Sequence, residues 1–133
     1  MAVLDEFDRL DLTNCANSTG AMLRAGLEAI MQRSPILGDV RGKGMLLAVE
    51  MVADKATKEM LPDYCKPTER MRIHGLDNGV MLYSRPTAGS TLGHWFMVAP
   101  PLSITEDECQ ELLRRTEAAV MAYQNELKSL GEI

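Results

Sequence analysis

Two arginines beside turn-forming residues, Arg41 and Arg85, are the side chains best suited by type and setting to recognise a ligand. Arg41 opens the run Arg41-Gly42-Lys43-Gly44 and Arg85 directly precedes Pro86, so both fall at predicted strand ends. A planar guanidinium there can hold a carboxylate through two parallel hydrogen bonds. The alternative for each is a solvent-facing arginine or a structural ion pair. Gly42 and Gly44 around Lys43 invite comparison with a phosphate cradle, but a phosphate loop needs wider glycine spacing, a serine or threonine after the lysine, and a helix beyond it. A strand follows instead, so the glycines read as a tight bend at a sheet edge. His74 and His94 each lack an acid or histidine four residues on with which to share a metal. Cys15, Cys65 and Cys109 are odd in number and widely spaced, which argues against a disulfide framework or zinc site and fits a reducing, cytoplasmic setting. No spacing pairs a nucleophile with a base, so no catalytic, metal-binding or cofactor-binding residue is predicted.

The elements that position these groups must come from one domain, residues 1–133, since 133 residues with 46% apolar and 25% charged content can bury a single core. A net charge of −5 without a basic cluster excludes a nucleic-acid footprint. No apolar run approaches the length of a membrane span, and the acidic opening MAVLDEFDRLDL lacks the basic start of a secretory signal. Ten methionines supply much of the apolar bulk; they serve as core filler, with some free to face a partner.

Periodicity lays out the order of elements. Val3, Leu4, Phe7 and Leu10 recur at helical spacing. A second helix, capped by Thr13 or Asn14, runs to about Arg33 with Ala16, Leu23, Leu27, Ile30 and Met31 in one stripe, and Ser34-Pro35 ends it. A strand begins near Val40, bends at the glycines and resumes as a buried strand from about Met45 to Val52. A polar loop covers Asp54 to Asp63; a helix spans Thr68–Asp77 with Met71 and Leu76 inward. Short strands follow at Val80–Tyr83 and Trp95–Val98, with His94 in the loop before the second. Thr105 and Glu108 match a capping box, opening a helix that buries Leu112, Thr116, Ala119, Val120, Tyr123 and Leu127 and ends near Leu130, before Gly131. Strands mixed with helices imply a small sheet with helices over one face.

Taken in order, AVLDEFDRLDL, then RAGLEAIMQRSPILGDVRGKGMLLAVEMVADKATKE, then GVMLYSRPTAG, MVAPPLSIT and a capped final helix resemble the C-terminal small domain of class III pyridoxal-phosphate-dependent aminotransferases, the omega-transaminase family. The resemblance implies an α+β fold whose sheet is mostly antiparallel. It implies amino-group transfer between an amine and a keto acid in the full-length family, with pyridoxal phosphate held by a lysine of a large domain that these residues do not include. Lys43, Lys55, Lys58, Lys66 and Lys128 all fall at small-domain positions, so no cofactor is expected on this chain alone. Some family members hold the substrate carboxylate with an arginine directly before proline, which Arg85-Pro86 matches. Here the loop from Arg85 to Pro100 is longer, and a tyrosine, Tyr83, stands at the strand end as in another subgroup. Tyr83, Arg85 and Arg41 are therefore the expected substrate-binding residues.

Three functional expectations follow. The first is a C-terminal domain or truncated form of such an aminotransferase, folded but inactive alone. The second is a non-enzymatic binding or assembly module, and the third one subunit of a split transaminase. Expected partners are a second copy, giving a homodimer, or a separate cofactor domain; nucleic acid and membrane are not expected.

Overall fold

The computed structural model describes residues 2–86 and 93–133. Helices α1 (Ala2–Arg9) and α2 (Leu12–Arg33) lead into strands β1 (Leu37–Lys43) and β2 (Leu46–Met51), then a short 3-10 turn (Asp63–Cys65) and helix α3 (Pro67–Asp77). Strands β3 (Tyr83–Pro86) and β4 (His94–Val98) and helix α4 (Glu106–Leu130) complete the chain. Among the described residues the sheet has four strands in the order β1-β2-β4-β3, every neighbouring pair antiparallel. This is the α+β architecture with an antiparallel sheet that the family resemblance implies.

The core lies between the helices and one face of the sheet. Alternation puts Leu47, Val49 and Met51 of β2 and Phe96 and Val98 of β4 on that face. Leu23, Leu27 and Ile30 of α2, Met71 of α3 and Ala119, Val120, Tyr123 and Leu127 of α4 meet them from above. The capping box at Thr105 and Glu108 is present, and Gly131 closes α4 in the left-handed region at φ 75°.

The glycine run makes a two-residue hairpin loop. Lys43 faces Leu46 as the last pair, Gly42 has φ 135°, and Gly44 has φ 56°. The tip then presses on α2, where a Cβ at Gly20 would stand 2.5 Å from the Gly44 carbonyl carbon.

Four local expectations are corrected. Asp11, not Thr13 or Asn14, stands at the N-cap of α2, because the helix already begins at Leu12 and takes both of those residues into its first turn; Asn14 instead donates from its side chain to Asp11. Leu76 points outward, 51% exposed; Gly75, one turn past Met71, holds the inward position that a residue five past Met71 cannot. The strand expected at Val80–Tyr83 forms at Tyr83–Pro86, since the Val80 amide donates to the Gly75 carbonyl and so belongs to the end of α3. His94 is the first residue of β4, not part of a loop, and is buried.

Candidate functional site

The helices leave the second face of the sheet open, and all three expected site residues stand on it. Strand register sets two rows across this face. One runs Arg41, Ala48, Met97, Tyr83, and the other Asp39, Glu50, Trp95, Arg85. Alternation along each strand dictates this membership, because residues two apart share a face. Leu46, beyond the first row, is 58% exposed, and Tyr83 is 52% exposed.

The two arginines differ in electrostatic setting. Arg41 pairs through Nε with Asp39 at 3.1 Å and through one terminal nitrogen with Glu50 at 3.0 Å, so two carboxylates already neutralise it. Arg85 makes no ion pair among the described residues. Its guanidinium carbon lies 5.7 Å from the centre of the Tyr83 ring, and Tyr83 in turn leans on Trp95 with ring centres 6.1 Å apart and a 44° tilt. With adjacent strands about 4.8 Å apart, Arg85 on β3 and the net-negative Arg41 cluster on β1 and β2 bracket an aromatic and thioether strip roughly 10 Å wide. Such a surface can hold an anion at one edge and apolar bulk beside it. Next to Tyr83, Arg72, Leu76, Met81, Met97 and Ala99 line a groove of about 470 Å³.

The titratable groups on the covered side are structural in arrangement. His74 Nε2 lies 2.6 Å from a Glu126 carboxylate oxygen that Arg70 also engages, tying α3 to α4; the Arg70 guanidinium holds the Glu126 carboxyl below the usual range. His94 is 2% exposed, with Nε2 3.5 Å from Asp63. Burial lowers its imidazole, against an opposing pull from Asp63. Burial also raises the thiols of Cys65 and Cys109, and all three cysteines are free. No group of metal-ligating side chains is assembled among the described residues.

A family model for class III aminotransferases matches residues 1–120. The chain belongs to the class III aminotransferase family. It is 34% identical to the diaminobutyrate–2-oxoglutarate transaminase of Halomonas elongata over 133 residues, covering the whole of this chain and 27% of that protein. Among solved structures, an (S)-enantioselective omega-transaminase from Thermomicrobium roseum superposes with a TM-score of 0.80 at 32% identity, covering 90% of this chain and 25% of that one. A PLP-bound amine transaminase from an uncultivated Pseudomonas species gives 0.78 at 32% identity, covering 91% and 26%. This class III chain thus spans about a quarter of the length of the proteins it matches.

Class III aminotransferases use pyridoxal phosphate, and the lysines of this family chain do not fit the covalent attachment such a cofactor needs. A lysine that captures an aldehyde must be desolvated so that its amine is free. Lys55 instead donates to the carbonyls of Met31 and Ser34 at the end of α2, at 2.6 and 3.1 Å. Lys58 donates to the Gly38 carbonyl at 2.5 Å, and Lys66 sits 3.7 Å from Glu69. Lys43 and Lys128 are exposed. Lys55 thus closes the end of α2 and Lys58 ties its loop to β1, contacts that no pattern within the polar loop marks.

Proposed function

We propose that residues 1–133 act as the C-terminal domain of a pyridoxal-phosphate-dependent class III aminotransferase, forming one wall of its substrate cleft, and that they do not transfer amino groups alone. The observation that carries this reading is the meeting of Arg85, Tyr83 and Arg41 on the sheet face that the described helices leave open. Family membership and coverage of about a quarter of the matched relatives agree with it.

In this reading Arg85 holds the carboxylate of the amino or keto acid, its forked donors fixing the orientation of the bound molecule. Tyr83 supplies an apolar wall beside that carboxylate. Arg41 serves a second anionic group only when a ligand displaces Asp39 or Glu50. The cofactor, held elsewhere in such a protein, supplies the carbonyl chemistry that carries the amino group. The expected partners are a cofactor domain and a second copy of the chain. Free thiols fit a cytoplasmic setting.

Pyridoxal phosphate titration of the purified chain tests the division of labour. Imine absorbance no stronger than that of a protein with ordinary exposed lysines is expected, and no amino transfer from an amine to a 2-oxo acid. A stoichiometric borohydride-reducible adduct at one lysine overturns it. Activity that appears on mixing with a separately produced cofactor domain, and falls at least tenfold with Arg85→Gln, bears it out and assigns the chain to a two-part enzyme.

A further inference from the structure

We infer that Tyr83 and Trp95 form an aromatic shelf that positions the Arg85 guanidinium and makes this the site for a carboxylate carried on a flat apolar body. The inference rests on the reading of Arg85 as the carboxylate-binding residue. It goes further by naming the residues that hold Arg85 and the class of acid that it selects.

The register builds the shelf. Arg85 faces Trp95 directly across the β3–β4 ladder, while Tyr83 faces Met97 one step along the same side. Tyr83 is therefore the same-face neighbour of Arg85 along its own strand and the diagonal neighbour of Trp95 across the ladder, both within side-chain reach. The ring distances agree: Arg85 to Tyr83 at 5.7 Å and Tyr83 to Trp95 at 6.1 Å. A free arginine side chain loses much rotamer entropy when it binds. Stacking on a ring limits that freedom beforehand while leaving the in-plane N–H donors directed outward. Arg41, on the same face, shows the contrasting arrangement: Asp39 and Glu50 hold it in place but also neutralise its charge.

The shelf also sets selectivity. An acid seated against Arg85 places the group next to its carboxylate over Tyr83, Trp95 and Met97, where an aromatic or broad apolar body gains contact and a methyl group gains little. The nearest acidic side chain on the shelf's row is Glu50, directly across from Trp95 on β2. A second negative charge at the far end of the ligand would approach it, so monoanions with apolar bodies are favoured over dianions.

Trp95 is the chain's one tryptophan, so emission excited at 295 nm reports on this site. The purified chain is titrated with phenylacetate, acetate, succinate and phenylacetamide. A saturable response to phenylacetate, weaker for acetate and succinate and absent for phenylacetamide, is expected. Tyr83→Leu should weaken phenylacetate about two- to fivefold, the worth of an exposed cation–π contact, and Tyr83→Phe should restore it. In ¹H–¹⁵N spectra the Arg85 Nε–Hε signal should carry a ring-current shift that Tyr83→Leu removes and Tyr83→Phe keeps, which a merely structural role for Tyr83 would not produce. If Tyr83→Leu binds phenylacetate like the wild type while Arg85→Gln does not, the shelf is refuted and Arg85 keeps its carboxylate. If Arg85→Gln binds unchanged, the carboxylate reading itself fails. A wild type with no saturable response overturns the preformed site.

Discussion

At the scale of single residues, three glycines decide whether the β1–β2 hairpin can form, and they differ in how. A Cβ at Gly42 would stand 2.0 Å from the Leu46 carbonyl oxygen, on a backbone with φ 135°. At Gly44, with φ 56°, the nearest atom is the Ala16 carbonyl oxygen at 3.6 Å, so substitution there meets ordinary contact and costs only the conformation, about 1 kcal/mol. Gly20 has no unusual φ, but its Cβ would meet the Gly44 backbone. Urea unfolding should rank Gly42→Ala as clearly more destabilising than Gly44→Ala, by about 2 kcal/mol or more as a buried clash. Equal losses would remove the contact argument. His94 gives a pH prediction at the same scale. Its folded imidazole is held below the ordinary value by burial, so the unfolded chain takes up that proton first as pH falls past about 6.5. Stability should therefore decline below that pH, and the decline between pH 7 and 5.5 should be shallower in His94→Gln. Identical slopes of the unfolding midpoint would show that another group carries the effect.

At the scale of elements, the free edge of β1 is closed by cations from two neighbours. The Gly38 carbonyl accepts from Lys58, and those of Val40 and Gly42 accept from Arg24 at 3.2 and 2.6 Å. An open strand edge is a template for another chain, and charged side chains are a common guard. Arg24→Ala with Lys58→Ala should leave those acceptors exposed and raise aggregation at high concentration, read by light scattering on heating and cooling. Scattering equal to the wild type would assign the two residues a local role only. This device also marks the limit of what was legible in the chain. Helix α4 is legible to both ends because each end carries its own local signal, the Thr105–Glu108 capping box at the start and Gly131 at the finish. The hairpin was readable from the glycines and the apolar run. Strand β3 was displaced in the reading because Val80, a β-former, closes α3 instead. No local pattern marks the contacts of Lys58 and Arg24, since their partners are backbone carbonyls 20 and 16–18 positions away. The types of Arg41, Tyr83 and Arg85 were visible, but their sharing one face depends on strand order, which no local pattern records. The neutralisation of Arg41 by Glu50 across the hairpin is likewise a matter of register.

At the scale of the whole molecule, the described helices leave one mixed polar and apolar sheet face open, and helix α1 buries none of its residues. No residue of α1 is buried, with Val3 79% and Leu4 56% exposed and Leu10 beyond it 38% exposed. Its apolar side repeats at helical spacing, and contiguous patches of that kind seldom face water in isolated domains. The expected consequence is self-association as a two-fold dimer, the commonest closed arrangement. Association costs about 4–15 kcal/mol in lost freedom, which at about 25 cal/mol per Å² requires roughly 200–600 Å² of apolar burial. A single short helix face lies near the lower end of that range, so dissociation in the micromolar range or weaker is expected. The acids Asp5, Glu6 and Asp8 on the same helix add like-charge repulsion between two copies, which salt should relieve. Sedimentation velocity at rising concentration and at two ionic strengths should thus show a dimer that tightens with salt. Phe7→Asp with Leu10→Asp should abolish it. A wild type that remains monomeric at high micromolar concentration ends the proposal. A double variant that still dimerises moves the contact to the open sheet, where Arg85 of one copy can meet Glu50 of the other, and there salt should loosen the dimer instead of tightening it.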